Sequence, residues 1–176
     1  MLQKSLKAFL EEVAAKTSAP GGGAVAAIAA ALAAALAAMT ARFSEGQLGA
    51  EARDVARRSD EISAAAARLA EADAEAYGAY LAARRRPDDD PEREPALAEA
   101  ASRSAEVPLR IAELGAEVDR IAERLGERGN PNLGGDAFAA RSLARAATRA
   151  AANLVLVNLG DEDDARVARA RELLEL

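Results

Sequence analysis

The 176-residue chain has no cysteine, no histidine and no tryptophan, and only two tyrosines and three phenylalanines. Without cysteine it can form no disulfide, no thiol nucleophile and no thiolate zinc site. Without histidine it lacks the commonest metal ligand and the commonest general base. Acid–base chemistry must then fall to Asp, Glu, Lys or Tyr. Basic patches with interleaved aromatics are also missing. Acids and bases are mixed throughout and the net charge is −6, so nucleic acid is not expected as a partner. The opening residues, MLQKSLKAFLEE, alternate charge with apolar side chains and do not read as a signal peptide. A cytoplasmic protein is expected.

The chain is rich in alanine. Half of the residues are hydrophobic (51%), and a large share of those are Ala. Alanine favours helix because it loses no side-chain entropy there. It also buries little area, whereas a buried Leu contributes roughly 1.5–3 kcal/mol. A fold built on Ala must bring its helices close together and bury many of them, and oligomerisation is one way to do so.

Apolar spacing predicts five main helices. Over residues 2–16, Leu6, Phe9, Leu10 and Val13 make one stripe, ended by TSAPGGG. Over 23–43, Val25, Ile28, Leu32, Leu36, Met39 and Phe43 share a face and nearly everything else is Ala. No charge occurs between Ala24 and Ala41. That length reaches what a membrane span needs, but alanine adds little drive for insertion. The preferred reading is a central helix packed on all sides, with no membrane partner. A turn at 45–49 precedes a third helix over 50–85, striped by Val55, Ile62, Leu69, Ala76 and Tyr80. Arg84-Arg85-Arg86-Pro87 and the acidic run after it form a polar loop. The fourth helix starts near 92 or 96 and ends at 125, with Pro108 inside it as an expected kink. After a break at 126–135, a fifth helix spans 136–159. Gly160 ends it, and Asp161 is expected to cap a short terminal helix. No strand pattern competes, so an all-α, single-domain bundle over 1–176 is predicted.

Three features exceed what packing requires. Pro20-Gly21-Gly22-Gly23 opens the second helix. Its free backbone and the helix dipole together can receive a carboxylate, a phosphate or a carbonyl oxygen. A tight interhelical turn explains the same residues, and no Gly-Lys-Ser/Thr follows to make a P-loop. Asn130, Asn132 and Asp136 lie in GNPNLGGD before the fifth helix, where Asp136 is placed to cap it and the dipole favours a negative charge; on spacing alone, a plain helix–helix loop with an Asp cap explains the same residues. Asp73 falls on the apolar face of the third helix, with Tyr77 one turn on. A carboxylate there must be paired, have a raised pKa or contact a ligand. A structural hydrogen bond is the alternative. The three segments could converge at one end of a bundle. No metal site is suggested.

Taken together, four blocks resemble the cyclodeaminase/cyclohydrolase family, which comprises formiminotetrahydrofolate cyclodeaminase and methenyltetrahydrofolate cyclohydrolases. They are SLKAFLEEVAAKTSAPGGGAVAAIAAALAAALAAM, DAEAYGAYLAARRRP, SAEVPLRIAELGAEV and GNPNLGGDAFAARSLARAATRAAANLVLVNL. Their order and spacing are more specific than any one of them. The resemblance implies a helical homodimer that binds a reduced folate near the glycine-rich loop and needs no metal or redox cofactor. It further implies that Asp136 stabilises the cationic one-carbon bridge or holds the pterin, and that Asp73 transfers protons. Asn130 and Asn132 would hydrogen-bond pterin or bridge atoms, Pro20 to Gly23 would shape the pocket wall, and Arg86 with its neighbours would meet the glutamate tail. Some positions depart from the family pattern. Ala24 and Gly135 stand where Ser is usual, Asp88 stands where Lys is common, and Lys16 is the last lysine. A folate-binding paralogue without turnover and a purely structural oligomer are the alternatives.

Overall fold

A computed structural model describes residues 4–160 and 163–176. Leu2 and Asp161 therefore lie outside the described residues. Among those described, seven α-helices follow one another: α1 (Leu6–Ala14), α2 (Gly22–Arg42), α3 (Glu45–Leu48), α4 (Ala50–Arg84), α5 (Arg93–Arg128), α6 (Gly134–Leu159) and α7 (Ala165–Leu174). A 3-10 turn, Pro131–Leu133, leads into α6. The expected turn after α2 contains the short helix α3. The fourth predicted helix runs past Gly126 to Arg128, because Gly126 meets only the Ala137 side chain and nothing there breaks the hydrogen-bond ladder. Pro108 is buried within α5, which continues through it. Gly160 ends α6 with φ +65°, as a left-handed C-terminal glycine should. Asp164 caps α7, accepting from the Arg166 N–H at 2.7 Å.

The bundle is organised around α2. α4 runs back along it: Ser63 Oγ donates to the Ala31 carbonyl (3.0 Å) and Arg42 pairs with Asp60 (2.5 Å). α6 also runs antiparallel to α2, because its beginning follows Asn130, which is bonded to Phe43, and its Leu154 reaches Gly22. α5 packs on α6 in the opposite sense, and α7 closes over both. The helices meet through their smallest residues. Ala24, Ala27, Ala30, Ala33, Ala34, Ala37 and Ala41 of α2 are fully buried, as are Ala140, Ala144 and Ala151 of α6.

This arrangement corrects the expectation for α2. The helix is not packed on all sides. Most of its alanines face the bundle, and three of its large side chains face out: Val25 is 41% exposed, Leu32 58% and Phe43 64%, while Ile28 and Leu36 are partly buried against the core. The physical reason is separation. Helices at close approach have room for methyl groups but not for branched chains, so the bulky stripe is turned away. α2 is long and apolar enough to cross a membrane by length and composition, yet most of it is buried against other helices. α1 differs from the rest. None of its residues is buried, and Leu6 and Leu10 of its apolar stripe are exposed.

The α5–α6 contact shows how close the packing is. A Cβ placed on Gly115 would lie 2.5 Å from Thr148 Oγ1 and 3.1 Å from the Ala144 carbonyl oxygen. Thr148 is itself buried and donates to Ala144 O at 2.9 Å. Beside it, buried Asp119 accepts from Arg141 (3.1 Å) and Arg145 (2.9 Å), which compensates the loss of its hydration. Gly115→Ala is expected to force the two helices apart and destabilise the fold by about 1–3 kcal/mol. At this chain length that lowers Tm by roughly 2–12 °C, read by thermal denaturation. An unchanged Tm would mean that the contact yields freely.

Candidate functional site

Gly21 has extended backbone and precedes α2, with Gly22 and Gly23 as its first helical residues. No side chain from the neighbouring loop caps this end. The capping group comes instead from α4. A Cβ on Gly23 would sit 2.0 Å from Asp73 Oδ1 and 2.4 Å from its carboxyl carbon. The aspartate therefore lies directly against the glycine backbone, where no other residue type could stand. The Ala24 N–H is aimed at the same carboxylate. Burial pushes the Asp73 pKa up from its ordinary 3.8, and the Ala24 N–H offsets this only in part. Asp73 is thus a half-buried acid at the positive end of a helix, with its pKa pushed up by burial.

Around it lies a cleft of about 210 Å³, walled by Ser18, Ala19, Gly21 to Gly23, Asp73, Tyr77, Ser104, Pro108, Leu154 and Asn158. α2, α4, α5 and α6 all contribute. Tyr77 exposes its ring along one edge. Asn158 donates to the Ser104 carbonyl at 2.5 Å and joins α6 to α5. Ser104 Oγ is buried and has no hydrogen-bond partner, so a hydroxyl inside the cleft is left for a ligand or water. A hollow between α4 and α5 differs in kind. Its charges answer one another, Arg124 with Glu51 at 2.6 Å and Arg58 with Glu117 at 2.7 Å.

The residues singled out from sequence do not all meet. Gly21, Gly22, Gly23 and Asp73 line one cleft, and Pro20 adjoins it through a cis Ala19–Pro20 peptide. Asn130, Asn132 and Asp136 lie at the far end of α2. There Asn130 Nδ2 donates to the Phe43 carbonyl (3.0 Å), and its N–H donates to Ser44 Oγ (2.9 Å). Asn130 Oδ1 also accepts from the Asn132 N–H at 3.0 Å, which sets the 3-10 turn. Asp136 does not cap α6. It is the third residue of the helix, since the 3-10 turn lets the helix begin at Gly134, and it makes no capping bond. The 21 residues of α2 separate the two groups by about 30 Å within one chain. The expected convergence is absent because α6 enters the bundle where α2 ends. Arg86 is in neither group. It closes α4 against Asp90 (2.9 Å), which holds that carboxylate below its usual range, and it borders a separate hollow with Glu99 and Arg103. No group of three or more metal-ligating side chains occurs among the described residues.

Ser104, Leu154 and Asn158 were not singled out from sequence. Asn158 carries a weak signal, being polar at the end of the apolar run LVLVNL. Ser104 carries none beyond its place one turn before Pro108.

The fold and the cleft define a helical bundle with a carboxylate seated on a glycine-opened helix. The family model described as formiminotransferase-cyclodeaminase matches residues 5–173, and the chain belongs to this family. It is 36% identical over 182 residues to formimidoyltransferase-cyclodeaminase of Sus scrofa, an alignment covering 98% of this chain and 34% of that protein. The chain thus spans about a third of the length of the mammalian relatives it matches. It is 32% identical to a methenyltetrahydrofolate cyclohydrolase of Methylorubrum extorquens, covering 96% of this chain and 85% of the relative. The crystal structure of formiminotetrahydrofolate cyclodeaminase from Thermotoga maritima superposes with a TM-score of 0.86 at 29% identity, covering 99% of this chain and 88% of that one.

Because the folded-state pKa of Asp73 is raised, the fold favours its protonated form. Its contribution to stability is full below the unfolded value and is lost as pH rises through the folded value. Asn cannot ionise. The Tm of Asp73→Asn relative to the parent is therefore expected to rise as pH climbs from below 3.8 towards neutrality. Melts across that range test this, and a gap that does not move with pH would remove the desolvated acid.

Proposed function

We propose that the chain acts on the one-carbon unit between N5 and N10 of tetrahydrofolate, hydrolysing 5,10-methenyltetrahydrofolate to 10-formyltetrahydrofolate. The cyclohydrolase relative, most of whose length is spanned, supports this reaction. The single observation that carries the reading is the Asp73 carboxylate, desolvated and held against Gly23 in an open cleft. Water adds to the cationic methenyl carbon, and Asp73 accepts its proton. The C–N5 bond then breaks as that proton is returned to N5, and the remaining hydroxyl proton is released to solvent as the formyl C=O forms, which balances the charge of the methenyl cation. The carbon stays at the formate oxidation level, so the step transfers no electrons and calls for no redox cofactor. The exposed Tyr77 ring offers a stacking face for a pterin, and Ser104 Oγ offers an unpaired hydrogen-bonding group.

A second reading, cyclising deamination of 5-formiminotetrahydrofolate, is favoured by the Thermotoga maritima likeness over nearly the whole chain. Here N10 attacks the formimino carbon and ammonia leaves from it with a proton, a transfer the same acid can serve. A folate-binding member without turnover is favoured by Ala24 and Gly135, which lack the hydroxyls of the family pattern.

The decay of methenyl absorbance in mildly acidic buffer decides among these. Acceleration that saturates with substrate is expected, and its acid limb should have a midpoint above the ordinary aspartate value of 3.8. Asp73→Asn should abolish that limb. Gly23→Ala, which drives the carboxylate out of place, should lower kcat/KM by about 10²-fold. No acceleration with the methenyl compound, but ammonia release from the formimino compound, would transfer the reading to deamination. Binding of both without turnover would leave a folate-binding protein.

A further inference from the structure

The α5 and α6 side of the cleft is built around a missing hydrogen bond. Pro108 lies inside α5 and has no N–H, so the Ser104 carbonyl one turn earlier loses its ladder donor. Asn158 of α6 replaces it, its Nδ2 donating to that carbonyl at 2.5 Å. Ser104, Pro108 and Asn158 all line the cleft that holds Gly21 to Gly23 and Asp73. The proline thus frees an acceptor on α5 where the cleft is walled by α6, and the link that results fixes Ser104 in place.

The Ser104 side chain behaves unlike other helical hydroxyls of this protein. Thr40 donates to the Leu36 carbonyl, Ser142 to Phe138 and Thr148 to Ala144, each at 2.9 Å. Each of these hydroxyls is spent on its own helix. Ser104 Oγ is buried yet has no partner among the described residues. Ser59 Oγ is unpaired too, but Ser59 is 0% exposed and sealed within the bundle, whereas Ser104 borders an open cleft. A desolvated hydroxyl left without a partner costs stability unless something occupies it. The other polar side chains of the cleft are differently disposed. The Asn158 amide is engaged with the Ser104 carbonyl, and Ser18 and Tyr77 are exposed.

We propose that Ser104 Oγ holds the water that attacks the methenyl carbon, and that Asn158 is the residue that positions Ser104 to do so. This rests on the proposed hydrolysis, and it names the group that hydrolysis requires and deamination does not. Hydrolysis takes up one water, whereas ring closure of the formimino compound takes up none. To attack, the water must present a lone pair to the carbon while both of its protons are directed elsewhere. Asp73 accepts one of them. Ser104 Oγ accepts a hydrogen bond from the other and takes no proton itself. The bond formed is between the water oxygen and the methenyl carbon. The second proton leaves to solvent when the formyl C=O forms. A water held from two helices, by Asp73 of α4 and Ser104 of α5, has few orientations left to lose before it reacts.

Ser104→Ala separates this role from a structural one. With 5,10-methenyltetrahydrofolate its kcat is expected to fall about 10²-fold while KM stays in place. The acid limb set by Asp73 should keep its midpoint, because serine does not titrate there. Tm should hold or rise, since the change removes an unpaired buried hydroxyl and Ala favours helix. An unchanged kcat would overturn the role, and so would a lowered Tm, which would show that the hydroxyl is bonded within the fold. Asn158→Leu orphans the Ser104 carbonyl and should lower both Tm and kcat. Adding Pro108→Ala returns a ladder donor to that carbonyl and should recover both. A double variant no better than Asn158→Leu alone would overturn the positioning of Ser104 by Asn158. A parent that does not hydrolyse the methenyl compound would sink the reaction and this role with it. A parent that hydrolyses it beside an equally active Ser104→Ala would sink the role alone.

Discussion

The close approach of helices across alanine and glycine governs this molecule. α2 lies among α4, α5 and α6 with its methyl groups at the contacts and almost no accessible area along them. Such packing yields little per residue from burial. It recovers dispersion contacts instead, because atoms at close separation on every side leave no voids. Any larger side chain at these contacts has nowhere to go, as Gly115 against Thr148 and Gly23 against Asp73 both show.

From that constraint follows the orientation of everything large. Val25, Leu32 and Phe43 are turned away from the intrachain contacts and form an outward stripe, while Ile28 and Leu36 reach the core only along its margin. The alanine-rich helix therefore has two surfaces, one built for neighbours in the same chain and one that those neighbours leave uncovered. Asp73 follows from the same constraint. Only because α4 comes so near to α2, and only because residue 23 lacks a side chain, can a carboxylate rest on the first turn of α2 and lose enough water to raise its pKa. Packing and chemistry at this end share one cause.

The fold was largely legible in the sequence. Helical spacing in 50–85 and 92–125, the breaks at glycine and proline, and Gly160 as a terminator are local effects that act within a turn or two. The helix boundaries that moved did so where tertiary or turn structure intervened, as when the 3-10 turn brought the start of α6 forward to Gly134 and displaced Asp136 from the cap. Asp73 stood out as a charge on an apolar stripe. Ser104 and Asn158 did not, because nothing in their surroundings along the chain marks them, and the cleft brings them together across α5 and α6.

The sequence by itself determined an all-helical bundle, the family to which it belongs, and a short set of polar residues that packing does not require. These follow from periodicity, from composition and from the order of motifs, all of which are properties of neighbours along the chain. Only the tertiary structure decided which face of α2 is the inside, and that the glycine loop and the Asn130–Asp136 turn lie at opposite ends of it. Periodicity shows that apolar residues share a face but not whether that face or the alanine face is buried. That choice depends on how close the neighbouring helices come, a distance set by residues far away in the chain.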